Sequence, residues 1–141
     1  MKDPRSALPW LWVFMLVNFL YCDVVTLFDP AILRNTLADH PAPGSVQMTP
    51  EALLAAALLM EVPMAMMVLS RVLARRPSRW LNVGAAAVLT VAQAGSLTVG
   101  SPAAYYLFFS AIEIGTLVVI AALALRWRAA PHLGTGAVQP L

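Results

Sequence analysis

The chain has 141 residues, 60% of them hydrophobic and 11% charged, with a mean hydropathy of +0.76. A soluble domain carries about a quarter charged residues, so this composition excludes an ordinary soluble domain and points to a membrane protein. The pI of about 9.1 does not indicate nucleic-acid binding, because the basic residues lie beside apolar segments and not on a soluble face.

The first apolar segment is Pro9–Phe28, preceded by Lys2 and Arg5. No small-residue cleavage site follows it, so it reads as a retained span and not a signal peptide. Tyr21 stands before Cys22 where a lipoprotein signal needs a small residue. Asn18 lies deep in this span, and Asp23 lies six residues before Asp29, about 9 Å from the outer surface. The single cysteine, Cys22, cannot form an internal disulfide and is too little for a structural zinc site; no metal or cofactor is expected.

Asp29-Pro30 sets an N-cap before a proline at the first helical position. The piece it opens, "AILRNTLADH", carries Ile32, Leu33 and Leu37 on one side and reads either as a short amphipathic surface helix or as a loop with one helical turn. "PAPGSVQM" then reads as a loop. Thr49-Pro50-Glu51 starts a second span, Ala52–Ser70, by the same capping logic. Within it "LLMEVPM" places Glu61 among aliphatic and methionine side chains, which read as packing and not as metal ligands. Pro63 removes a hydrogen bond to the Leu59 carbonyl, so a kink and a free acceptor are expected near Glu61.

Arg71, Arg75, Arg76 and Arg79 lead to a third span, Trp80–Val99. Asn82, Ala86, Thr90 and Gln93 share one of its faces, and Gly84, Ala85, Ala86 and Gly95 let neighbouring backbones approach. Ser101-Pro102 is expected to cap a fourth span, Ala103–Leu125, on which Tyr106, Ser110, Glu113 and Thr116 form one stripe. Tyr105 reads as a belt aromatic at the outer interface, and Trp10, Trp12, Trp80 and Trp127 as anchors at the other. Residues 129–141 read as a disordered tail.

Each apolar segment has about the 20 residues needed to cross a bilayer core, and lipid admits only helices or closed barrels. The expected fold is all-α, a single four-transmembrane-helix bundle over residues 1–128 with a short amphipathic helix in the first outer loop. Every basic residue except Arg34 falls on one side of such a bundle. The positive-inside rule then places both termini in the cytoplasm of a multi-pass inner-membrane protein.

Glu61 and Glu113 each stand 11 residues after a helix-starting proline, Pro50 and Pro102, about 16 Å deep and close to the midplane. A charged group at a helix centre costs about 2.5–3.5 kcal/mol on insertion scales, and a glutamate stem is too short to reach either interface. Both are therefore expected to face the interior, as a protonated acid, a proton-sharing pair, or a site for a proton or cation. Asp23 and Gln93 would line the outer entrance, with Tyr106 and Asn18 nearby. "TPEALLAAALLME" and "SPAAYYLFFSAIE" also align in register, which suggests two parallel helical hairpin repeats with the site between them.

The segments "YCDVVTLFDP", "LLMEVPMAMMVLSRVL", "RWLNV" and "YYLFFSAIEIGT" resemble a family of small bacterial four-helix membrane proteins of unknown function. The resemblance spans nearly the whole apolar region and implies the four-helix fold, with Asp23, Asp29, Glu61, Arg71, Tyr106 and Glu113 as its marked positions. Small multidrug-resistance transporters share the helix count, but the motif around their first-helix glutamate is absent and the charge bias is stronger here. Sterol-isomerase-like membrane proteins are similar only in architecture, and their catalytic histidine has no counterpart.

The function expected is an intramembrane acidic pocket of Glu61, Glu113 and Asp23 for a hydrophobic or cationic small molecule, with proton-coupled transport as one form of it. The alternatives are an intramembrane enzyme using the carboxylates as an acid–base pair on a lipid-like substrate, and an accessory subunit whose acids pair with a basic partner residue. Lipid is the expected surrounding, no nucleic acid is expected, and a four-span bundle is small enough to suggest a homodimer.

Overall fold

The computed structural model describes residues 4–38, 49–99 and 101–126, with side chains from Ser6 onward. These residues form five helices and no strand: α1 (Pro4–Leu27), α2 (Pro30–Thr36), α3 (Pro50–Val72), α4 (Arg75–Ser96) and α5 (Ala104–Arg126). The expected loop at 41–48, Trp127 and the expected tail at 129–141 lie outside the described residues.

Two of the three helix starts read from sequence hold in atomic detail. The Asp29 carboxylate accepts from the Ala31 N–H at 2.9 Å, and the Thr49 hydroxyl accepts from the Ala52 N–H at 3.2 Å, each ahead of a proline that has no N–H to satisfy. The third does not. α5 begins at Ala104, and Ser101 and Pro102 lie in the non-helical return from α4. The Ala103 carbonyl accepts from the Leu107 N–H at 3.1 Å, so Ala103 and not Ser101 stands just ahead of the first turn of α5. α4 starts at Arg75 and not Trp80, so only Leu73 and Ala74 separate it from α3, and the expected arginine loop is almost entirely helical.

Four long helices occupy four corners. α1 packs on α3 and α5, α4 packs on α3 and α5, and the diagonal pairs do not touch through their backbones. Adjacent helices run antiparallel. Gln93 meets Ser110 while Ser96 meets Tyr106, and Asn18 meets Glu113 while the Tyr21 and Phe109 rings meet edge-on at 6.0 Å. Arg71, Arg75, Arg76, Arg79 and Arg126 thus collect at one end, and Arg34 stands at the other.

α1, α3 and α5 are long and apolar enough to cross a membrane. Four spans were expected, but α4 falls short because its first turns hold Arg75, Arg76 and Arg79 and its body holds Asn82 and Gln93. The burial of α4 is inverted relative to a helix on a soluble protein. Ser78, Asn82 and Gln93 are buried, whereas Trp80, Leu81, Val88 and Val91 are exposed. α2 buries no residue, and its Ile32, Leu33 and Leu37 are all exposed.

The core holds Leu8, Trp12 and Met15 of α1, Met66 of α3, Leu89 of α4, and Leu117 and Ile120 of α5. Trp12 is therefore not an interfacial anchor; it is fully buried. Its indole N–H crosses the bundle diagonal to Asn82 Oδ1 at 2.7 Å. Ser70 Oγ donates to the same oxygen at 3.2 Å, and Asn82 Nδ2 donates back to the Ser78 carbonyl at 2.7 Å. One asparagine thereby ties α1, α3 and α4 near the basic end, in a core where an unpaired polar atom is costly.

Asn82→Ala leaves the Trp12 N–H buried without that partner and is expected to cost about 1–2 kcal/mol in unfolding from bicelles. Combining Asn82→Leu with Trp12→Phe, which removes both partners, should restore part of that loss. Equal stability of wild type and Asn82→Ala in steric-trapping or denaturation curves would contradict the hub role.

Candidate functional site

α5 presents one polar column to the bundle interior: Tyr106, Ser110 and Glu113, spaced four and three residues apart so that they stack along one face. Below Glu113 the same face continues as Leu117, Ile120 and Ala124, all buried. Thr116, expected on the stripe, is only half-buried and turns its hydroxyl to the Ile112 carbonyl of its own helix at 2.8 Å.

Glu113 is the chemical centre of this column. It is 0% exposed. Its Oε1 accepts from Asn18 Nδ2 of α1 at 3.1 Å, and its Oε2, equally buried, has no hydrogen-bond partner. One turn toward the α5 start, Ser110 Oγ accepts from Gln93 Nε2 of α4 at 2.8 Å. A further turn on, Tyr106 donates its hydroxyl to Ser96 Oγ at 2.7 Å. Asn18, Gln93, Tyr106 and Glu113, all expected at the site, therefore share one interior column, although Gln93 and Tyr106 engage neighbours of Glu113 and not its carboxylate.

Asp23 sits differently. It is exposed on α1 and makes no hydrogen bond or ion pair among the described residues. Cys22 beside it is buried and free. Tyr105, expected as a belt aromatic, donates its hydroxyl to Asp29 Oδ2 at 3.2 Å and so ties the start of α5 to the cap of α2.

Glu61 departs most from expectation. The buried face of α3 is Pro63, Met66 and Ser70. At about 100° per residue, Glu61 lies on the side opposite to them. It is exposed, and it has no hydrogen bond or ion pair among the described residues. α3 and α5 occupy diagonal corners, so Glu61 and Glu113 do not converge and cannot share a proton. The interior acidic site therefore holds one glutamate.

Two shallow apolar grooves run along the outer surface. One, of about 350 Å³, lies between α1 and α3, lined by Pro9, Trp10, Val13, Met67 and Val72 with Arg71 at its end. The other, of about 300 Å³, lies between α4 and α5 around Ala87, Thr90, Val91 and Val118. Neither reaches Glu113. Among the described residues no group of three or more His, Cys, Asp or Glu side chains is placed to hold a metal ion.

The Asn82 hub was not singled out as a site from sequence. The signal was present in part, because Asn82 lies on the Gln93 face of α4; its partners Trp12 and Ser70 lie on other helices and could not be paired by spacing.

No curated protein and no solved structure matches the chain. Residues 2–133 match one family model over almost the full length of the chain, and the chain belongs to that family of unknown function, DUF6326.

Proposed function

We propose that the chain is a polytopic membrane protein of four spans that holds a proton or the cationic group of a small hydrophobic molecule at Glu113. The observation that carries the site is Glu113 Oε2: a fully buried carboxylate oxygen with no hydrogen-bond partner, beside an Oε1 already fixed by Asn18. Buried polar atoms are nearly always paired, so an orphan acceptor on an acid marks a place where a donor is wanted. An ammonium group from a ligand supplies one, and a proton on the carboxyl removes the buried charge instead. Asn18 fixes the rotamer by holding the other oxygen.

The inverted burial of α4 supports its place as the fourth span. A helix that turns Asn82 and Gln93 inward and Val88 and Val91 outward suits hydrocarbon outside and hydrogen bonds inside. The arginines gathered at one end favour that end, with both termini, on the cytoplasmic side of an inner membrane.

A second reading is favoured by the Asn18–Glu113 bond itself, which joins α1 to α5 at 3.1 Å. In this reading the acid is an interhelical clip. Substitutions separate the two. Glu113→Gln keeps an acceptor for Asn18 but no carboxylate. It is expected to unfold at the wild-type midpoint while losing at least tenfold in binding of 2-phenylethylammonium, a hydrophobic cation with N–H donors, measured by equilibrium dialysis in mild detergent. Unchanged cation binding in that variant contradicts the functional reading. Glu113→Leu removes the clip as well and is expected to lower stability by about 1 kcal/mol, read from unfolding in bicelles.

A further inference from the structure

Glu61 is the middle residue of α3 (Pro50–Val72), about 16 Å from either end. α3 is long and apolar enough to cross a membrane, and Glu61 stands on the face turned away from the bundle. That face is otherwise apolar: Leu54, Ala57, Leu58, Ala65 and Val68, with Ala65 half-buried and the others exposed. An acid aimed into hydrocarbon at mid-depth is costly, and its stem cannot carry it to an interface. Nothing in the described chain relieves it. The nearest basic residue on its own helix, Arg71, is about 15 Å further along the axis.

We propose that this outer face of α3 is the interface between two copies of the chain, with the two Glu61 carboxyls hydrogen-bonded to each other at its centre. Three features select a second copy over a foreign partner. A carboxyl holding a proton is at once donor and acceptor, so it is complementary to its own image. A two-fold axis along the bundle brings identical residues to identical depth, with no matching basic residue required from another protein. Ala57 and Ala65 stand one turn on either side of Glu61, so the two backbones can approach closely enough for the short side chains to meet. The same axis leaves the arginine ends of both copies on one side of the membrane. The proposal uses the membrane-spanning reading of α3 and is independent of any ligand at Glu113.

The test uses the full chain in phosphatidylcholine vesicles, in a Cys22→Ser background, after alkaline washing has shown that it stays with the membrane. Ala57→Cys and Ala65→Cys are expected to form disulfide-linked dimers under copper–phenanthroline at least tenfold faster than Val91→Cys on α4 or Val118→Cys on α5. Equal rates from all four positions, or no dimer from Ala57→Cys and Ala65→Cys, overturn the proposal. The dimer dissociation constant, from energy transfer at varied protein-to-lipid ratio, gives a second readout. Glu61→Gln, which keeps both donor and acceptor, should stay within about threefold of wild type, and Glu61→Leu should weaken the dimer about tenfold. A Glu61→Leu protein with wild-type helix content by circular dichroism and an unchanged dissociation constant also overturns it.

Discussion

Inside a bilayer a polar group with no partner is expensive, and apolar contact alone does not distinguish a neighbouring helix from a lipid tail. On the membrane-spanning reading proposed above, that constraint organises this chain. Its interior polar groups form successive ties from the arginine end to the opposite end. Asn82 joins α4 to Trp12 and Ser70, Asn18 joins α1 to Glu113, Gln93 joins α4 to Ser110, and Ser96 joins α4 to Tyr106. Each tie is worth a modest amount, about 0.6 kcal/mol on average and up to about 2. Their collective effect is register. A helix that slid by one turn would bury several unpaired amides at once.

The same constraint makes the two glutamates different objects. In the sequence they look alike, each 11 residues after a proline and each inside an apolar run. In the fold one is sealed inside with a single oxygen unpartnered, and the other stands outside with no partner of its own. The suggested repeat of the two hairpins therefore preserves neither the position along the helix, 11 residues from the start of α3 against 9 from the start of α5, nor the environment. An unpartnered interior oxygen invites a small donor, which is the basis of the ligand reading. An unpartnered exterior acid invites another helix, which is the basis of the dimer reading. The two readings are separable because Glu61 is exposed on the outer side of α3, whereas Glu113 is buried inside the bundle.

Much of the architecture was legible in the residues. Asp29-Pro30 and Thr49-Pro50 announced their helices because a capping oxygen and a proline meet local needs of the backbone. The inward face of α4 was legible because Asn82 and Gln93 contrast with the valines around the rest of the helix. The Ser110–Glu113 column was legible for the same reason. The direction of Glu61 was not. α3 is apolar on all sides, so its sequence carries no mark of which side meets the bundle, and depth alone suggested an interior place. Trp12 failed for a different reason. Its position near the arginine end suits an anchor, and the partner that buries it lies 70 residues away on a diagonal helix.

The central claim is that the bundle sits in lipid with its polar groups inside, and α4 is the strictest place to examine it, because its composition alone does not qualify it as a span. A nitroxide at Val88, an exposed residue in the body of α4, would report its surroundings by collision with oxygen and with a water-soluble nickel chelate in reconstituted vesicles. The account predicts high oxygen and low nickel accessibility, as for a lipid-facing mid-depth site. Nickel accessibility like that of a water-exposed helix surface would contradict it, and would mean that α4 lies outside the hydrocarbon.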